Sequence, residues 1–468
     1  MKNEIQELDN HTKDCIDHFE IGGEDLLASA AASAATESKK ATDQVLPQDI
    51  IDDIRVRIGT LLKTETVSFL LGAGASADCG GQLIGTVPVA VEKALCDEGI
   101  KGNKVSKWLK IFYLAIRYLS GGNTTPVTGK EILDRHNSLN DKNSTSLSVN
   151  FEKVLAILHR WRSALPSTGG RLRMDGSPPL DAKSDDLDAC ICYATRALAQ
   201  TCNLPAENKK DGLYIYKTFI RKILTRPLNL KRVNIFTLNY DTLVEQAADA
   251  EGVVLLDGFI GTHRRVFRPE SYEQDLYFPA ETTEGRVHRF DRVLHLYKLH
   301  GSITWRSSEP TIDDPYGVQS VPFDSKGSQP LLIYPTPAKY GETLGLPYSE
   351  LFRRFAAAVT RPQSVLFTIG YGFGDEHVNT IIRQALAVPS FTLVIVDPDP
   401  KSEFVNTLRR QKDCRIWLAE GSKLGTFAGF VKHILPDLKD EEIRKKVLNT
   451  HRALSKNSHE IGEISDDN

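Results

Sequence analysis

The sequence predicts an α/β fold, a doubly wound parallel sheet with a helical insertion module, and three observations predict it. Short continuous apolar runs recur along the chain, the pattern of strands buried on both faces. Helical text separates several of them, and strands alternating with helices imply a parallel sheet covered on both sides. Between residues 100 and 225 the period changes to helical throughout, which marks an insertion.

A chain of 468 residues exceeds the usual single domain, so one large α/β domain with an added helical part is the natural division. The 41% hydrophobic and 25% charged residues are the balance of a globular chain with ample core. A net charge of -3, with Lys and Arg dispersed, gives no electrostatic footprint for direct nucleic-acid binding. Cys15, Cys79, Cys96, Cys190, Cys192, Cys202 and Cys414 are odd in number and scattered, which reads as a reducing, cytoplasmic setting. Cys190-x-Cys192 with Cys202 lacks a matching ligand pair, so no metal is expected. The small apolar run at 26–35 has no basic flank and is too short to span a bilayer, so no membrane segment is expected.

Residues 1–50 are polar and rich in Ala and Ser, an arm expected to be flexible or helical. The expected catalytic domain runs from 51 to 425. Its first strand, 67–71, leads straight into Gly72-Ala73-Gly74-Ala75-Ser76, and a helix-forming stretch follows at 87–95, the order that opens a dinucleotide-binding unit. Helical spacing at 108–119, 151–165, 187–199 and 213–224 makes up the insertion. Buried-strand runs then return at 233–237, 293–297, 331–334, 365–369 and 393–396, with helical stretches at 242–250, 348–359 and 376–387. Residues 426–468 are expected to form a charged tail, helical at first and ending in an acidic, disordered stretch.

The carboxyl ends of parallel strands form the ligand crevice of such a sheet, and the polar residues collect there. A glycine turn between strand and helix brings backbone N–H groups close to phosphate, although the same small residues close many ordinary turns. Thr237-Leu238-Asn239-Tyr240-Asp241 ends one strand; Asn239 is equally a turn residue and Asp241 equally an N-cap. His300, before Gly301, ends another, where a histidine either takes a proton near neutral pH or is satisfied in a loop. Gly370-Tyr371-Gly372-Phe373-Gly374-Asp375 and Asp397-Pro398-Asp399 end two more, and an acidic residue at such a place holds a ribose hydroxyl or caps a turn.

Taken in order, these pieces resemble the sirtuin family over residues 55–420, and its bacterial antiphage-defence branch of NAD hydrolases more closely than the protein deacylases. Asn150-Phe151-Glu152 with Val154-Leu155, Leu238 to Asp241, and Tyr334-Pro335-Thr336-Pro337-Ala338-Lys339 carry the likeness to the defence branch. The resemblance implies a Rossmann-like fold and NAD as substrate. It assigns catalysis to Asn239 and His300, and NAD binding to Gly72, Ala73, Gly74, Ala75, Ser76, Asp78, Thr237, Asp241, Gly370, Tyr371, Gly372 and Asp397. It also implies a homo-oligomer and a partner such as a HerA-type hexameric ATPase. Deacylases carry a four-cysteine zinc module, yet residues 301–365 contain no Cys, Ala75 stands where a large apolar residue is usual, and Asp78 lacks the Pro-x-Phe-Arg context. The expected reaction is therefore hydrolysis of NAD to nicotinamide and ADP-ribose. A zinc-free deacylase, a binding-only NAD sensor and conversion of NAD to a cyclic product are the alternatives.

Overall fold

A computed structural model describes residues 15–28, 46–82, 85–121, 127–141, 143–165, 171–174, 180–205, 210–278, 288–324 and 347–439. The expected strand at 331–334 and the Tyr334 to Lys339 segment lie outside these residues.

Among the described residues the central sheet has nine strands: β1 (His18–Ile21), β2 (Glu24–Asp25), β3 (Thr66–Leu71), β4 (Asn234–Thr237), β5 (Val254–Leu256), β6 (Val293–Lys298), β7 (Ser364–Ile369), β8 (Thr392–Val396) and β9 (Ile416–Glu420). Their order is β2-β1-β9-β8-β7-β3-β4-β6-β5. Every pairing from β3 through β9 is parallel, while β1 runs antiparallel to β9 and to β2. The run β6-β4-β3-β7-β8-β9 is the 3-2-1-4-5-6 order of dinucleotide-binding sheets, so the strand order reverses between β3 and β7. The α/β, doubly wound expectation is met.

The inner strands are mostly apolar because helices cover both faces. Val67, Phe69 and Leu71 of β3 join one core with α1 (Gln48–Leu61), the later helices α7 (Lys210–Ile223) and α8 (Leu243–Glu251), and the segment from Phe427 to Leu438. Leu70, with Leu366 of β7 and Leu393 of β8, faces the other core, under α9 (Tyr348–Val359), α10 (Glu376–Leu386) and α11 (Glu403–Gln411). At the centre Phe69 stacks on Phe367 at 4.8 Å and meets the edge of Phe219 at 5.0 Å. Fully burying one such side chain stabilises the fold by about 1.5–3 kcal/mol.

A third core belongs to the helical module: α2 (Val89–Gly99), α3 (Lys107–Gly121), α4 (Gly129–Ser138), α5 (Phe151–Ser163) and α6 (Ser184–Cys202). Packing draws its boundary differently from the sequence periodicity. Tyr216, Phe219, Ile220 and Ile223 of α7 lie in the sheet core, so the module ends with α6. Conversely, α2 packs into the module, and the glycine turn after β3 continues as a 3-10 helix, Ala73–Cys79. The module thus interrupts the first crossover, and α7 completes it. A small antiparallel sheet of Phe259–Ile260, Arg265–Phe267, Val318–Ser320 and Trp305–Ser307 stands outside the main one.

Both expected tails differ in part from the expectation. Phe19 and Leu27 are fully buried, and β1 pairs with β9 along His18 to Ile21, so this piece of the arm is a sheet-edge hairpin. Phe427, Phe430, Val431, Ile434 and Leu435 are buried too. Their three-and-four spacing places one apolar face on the sheet despite the charges between them.

Candidate active site

Register brings four strand ends level. Leu71, Thr237, Lys298 and Ile369 pair across β7-β3-β4-β6, so Gly72, Leu238, Leu299 and Gly370 begin their loops at one height. Leu238 N donates to Leu71 O at 3.0 Å and Leu299 N to Thr237 O at 2.9 Å, which carries the pairing one residue beyond the strands. Asn239 and His300 therefore each stand two residues past the paired Thr237 and Lys298, on the loops of neighbouring strands.

The glycine turn packs on the loop after β7 backbone to backbone. Gly74 N donates to Gly370 O at 3.0 Å, Gly72 N to Ile369 O at 2.9 Å, and Ala75 N to Gly72 O at 3.0 Å. A Cβ on Gly72 would meet Gly370 O at 2.4 Å, and one on Gly74 would meet Gly370 Cα at 2.8 Å. Glycine is required here for close approach, and at least three of the five N–H groups from Gly72 to Ser76 are already committed to carbonyls.

Ser76 is the hub of the first polar cluster. Its buried hydroxyl donates to Asp241 Oδ2 at 2.6 Å and accepts from Asn239 Nδ2 at 2.8 Å; the Tyr216 hydroxyl of α7 lies 3.5 Å away. Asn239 Nδ2 also donates to Gly72 O at 2.9 Å. Because a carbonyl only accepts, the amide nitrogen must face Gly72, and Oδ1 is the atom of Asn239 left to accept from another molecule. Asp241 Oδ1 accepts from Leu243 N at 3.1 Å, so both of its oxygens serve the turn and the start of α8. Thr237 has a similar task, its hydroxyl bridging Leu71 O and Asn239 N at 3.3 and 3.0 Å. Below them Lys298 Nζ, 3% exposed as a residue, donates to the carbonyl of Asp241 and pairs with Glu245 Oε1 at 3.0 Å. Burial pushes the Glu245 carboxyl up even with that ammonium beside it.

The second cluster is a histidine and a carboxylate. His300 Nε2 lies 3.1 Å from Asp375 Oδ2, and both residues are buried, at 4% and 7% exposure. Since the carboxylate accepts, it favours the tautomer protonated at Nε2 and makes Nδ1 the basic nitrogen. Asp375 is itself held: its Oδ1 caps α10 through His377 N at 3.0 Å, and the Tyr371 hydroxyl lies 3.0 Å from both Asp375 O and Asn379 Oδ1. Tyr371 is thus turned into the base of its own loop, while Gly372 is exposed with open space around its Cα.

Further along the same edge, Gly372, Asp397, Asp399 and Lys401 line a groove of about 350 Å³. Burial raises the Asp397 carboxyl, partly offset by Asp399 N, which donates to it at 2.9 Å. Asp78 ends up exposed on the 3-10 turn.

The structure therefore gathers Gly72, Ala73, Gly74, Ala75, Ser76, Thr237, Asn239, Asp241, His300, Gly370, Tyr371, Gly372 and Asp397 along one edge of the sheet. Sequence reasoning missed Asp375 as the partner of His300, though its place as N-cap before an apolar-periodic helix was visible. It also missed Tyr216 and Lys298, which come from elements whose sequences show only amphipathic or buried character. Among the described residues no group of three His, Cys, Asp or Glu side chains could hold a metal ion, and no helix is long and apolar enough to cross a membrane.

No curated protein matches the chain. Residues 233–420, which hold β4 through β9 and with them Asn239, His300, Asp375 and Asp397, match the family model of the SIR2-like domain, so this stretch has a sirtuin-like fold and a link to NAD-related activity in general.

Proposed function

We propose that the chain is an NAD glycohydrolase that cleaves the nicotinamide–ribose bond to give nicotinamide and ADP-ribose. The observation that carries the reading is that Asn239, its Oδ1 turned away from Gly72, ends the strand next to the one ended by His300, whose Nε2 meets the buried Asp375 of the loop after β7. In this reading the loops at Gly72 to Ser76 and Gly370 to Gly372 flank the pyrophosphate at the point where strand order reverses, and the Asp397 end takes the far ribose. The C1′–N bond breaks with its electron pair going to nicotinamide, leaving oxocarbenium character at C1′. Asn239 Oδ1 orients the attacking water, whose oxygen bonds C1′ and whose proton passes to His300; Asp375 stabilises the imidazolium so formed. The resemblance to the defence branch supports, as further parts of the proposal, depletion of NAD during phage infection and restraint until then by self-association or a HerA-type ATPase partner.

Purified protein incubated with NAD, with nicotinamide and ADP-ribose followed by chromatography, tests the reaction. Asn239→Ala and His300→Ala are expected to abolish release while the protein stays folded, as circular dichroism would show. Undiminished turnover in either variant would sink the assignment.

A further inference from the structure

Tyr240 adjoins both residues assigned to chemistry and joins three parts of the molecule. It follows Asn239 directly. Its carbonyl accepts from Ile303 N at 3.1 Å and lies 3.5 Å from Ser302 Oγ, which ties down the turn after His300. Its ring stands 6.5 Å from the His300 ring. Its hydroxyl donates to Glu152 Oε1 at 3.1 Å, on the first turn of α5 in the helical module. Tyr240 and Ile303 are the two sheet-side residues buried in the module's own core, and Tyr240 is 2% exposed.

A carboxylate at 9% exposure is uncommon on a helix whose other buried neighbours, Phe151, Val154, Leu155 and Leu158, are apolar. Its position is set from the other side as well, since the Asn150 side chain caps α5 by accepting from Lys153 N at 3.1 Å. The module supplies none of the strand-end loops, yet through this bond it holds the two that matter most.

We propose that Glu152 is a positioning residue: by accepting the Tyr240 hydroxyl it couples the helical module to the loops carrying Asn239 and His300 and sets their spacing. This rests on the reading of those two residues as the reacting pair. Loss of the bond removes the module's polar hold on the hydroxyl end of Tyr240, and a displacement of about 1 Å at a reacting centre costs on the order of a hundredfold in rate. An acceptor is what the role demands, whereas a direct electrostatic role toward substrate would demand the negative charge.

The test compares Tyr240→Phe, Glu152→Ala and Glu152→Gln with wild type in NAD turnover and in amide hydrogen exchange of the ligand-free protein. Tyr240→Phe and Glu152→Ala are expected to lower kcat by about 10–100-fold with KM within about threefold, and the double variant to fall no further than either single one. Glu152→Gln, which keeps the acceptor, is expected to stay within about threefold of wild type. Exchange over residues 238–243 and 300–305 should quicken in Tyr240→Phe and Glu152→Ala but not in Glu152→Gln. A loss in Glu152→Gln equal to that in Glu152→Ala, additive losses in the double variant, or unchanged exchange would overturn the proposal. If wild type itself leaves NAD intact, the glycohydrolase reading fails, and the exchange pattern still decides whether the tether exists.

Discussion

Replacing Gly370 with alanine strikes the contact on which the crevice is built. Gly370 has φ +60°, where a side chain costs roughly 1–2 kcal/mol. Its Cβ would meet Ala75 N at 2.5 Å and both Gly74 C and Gly74 Cα at 2.6 Å. These are backbone atoms of the glycine turn and have no rotamer to yield, and they sit about 1 Å inside an ordinary contact. Overpacking of this kind adds about 1–3 kcal/mol, so the variant should lose about 2–5 kcal/mol in all. Relief by moving the turn would pull Gly72 O away from Asn239 Nδ2 and weaken the site as well. Denaturant unfolding, followed by circular dichroism alongside NAD turnover, measures both effects. Gly372→Ala is the control, because nothing lies within 4 Å of its Cβ and that stability should change by less than about 0.5 kcal/mol. A Gly370→Ala protein as stable as the control would refute the close approach.

Two other perturbations separate chemistry from folding. Asp375→Asn keeps a side chain able to cap α10 but replaces the acceptor facing His300 Nε2 with a group that can also donate; turnover should fall by about 10²–10⁴-fold with stability nearly unchanged, and a wild-type rate would exclude the dyad. His295 on β6 titrates at about 4, chiefly because burial disfavours its charge, with Asp275 and Glu273 pulling it up and Arg232 and Arg354 pushing it down. Its folded value lies below the unfolded 6.5, so the unfolded chain binds the proton first, and stability is lost as pH falls from 6.5 toward 4. The full loss from this one group is roughly 3 kcal/mol, so His295→Gln should flatten the acid limb of the stability–pH curve by that order. An unaltered acid limb would show that His295 is not held neutral by its surroundings.

The amino-acid sequence by itself determined the elements whose signal is local. Strands β3, β4, β6, β7 and β8 are continuous apolar runs because helices cover both of their faces, and burial of that kind is written residue by residue. The strand-end positions of Asn239, His300, Gly370 and Asp397 follow from the same runs, since polar and glycine residues begin where each run stops. Only the tertiary structure decided what depends on contacts distant in the chain. Residues 18–21 form a strand because β9 offers them an open edge, and four residues carry no period of their own. Both α2 and α7 are amphipathic in sequence, yet one belongs to the module and the other to the sheet, because periodicity tells that a face is buried and not against what. Asp375 reads as a helix cap until folding sets it 3.1 Å from a histidine 75 residues away, and Glu152 belongs to a segment that carries the family likeness but has no assigned partner until it receives a hydroxyl 88 residues distant. A hydrogen bond across such a separation leaves no pattern in either segment, because each residue type is also the common choice for its local role.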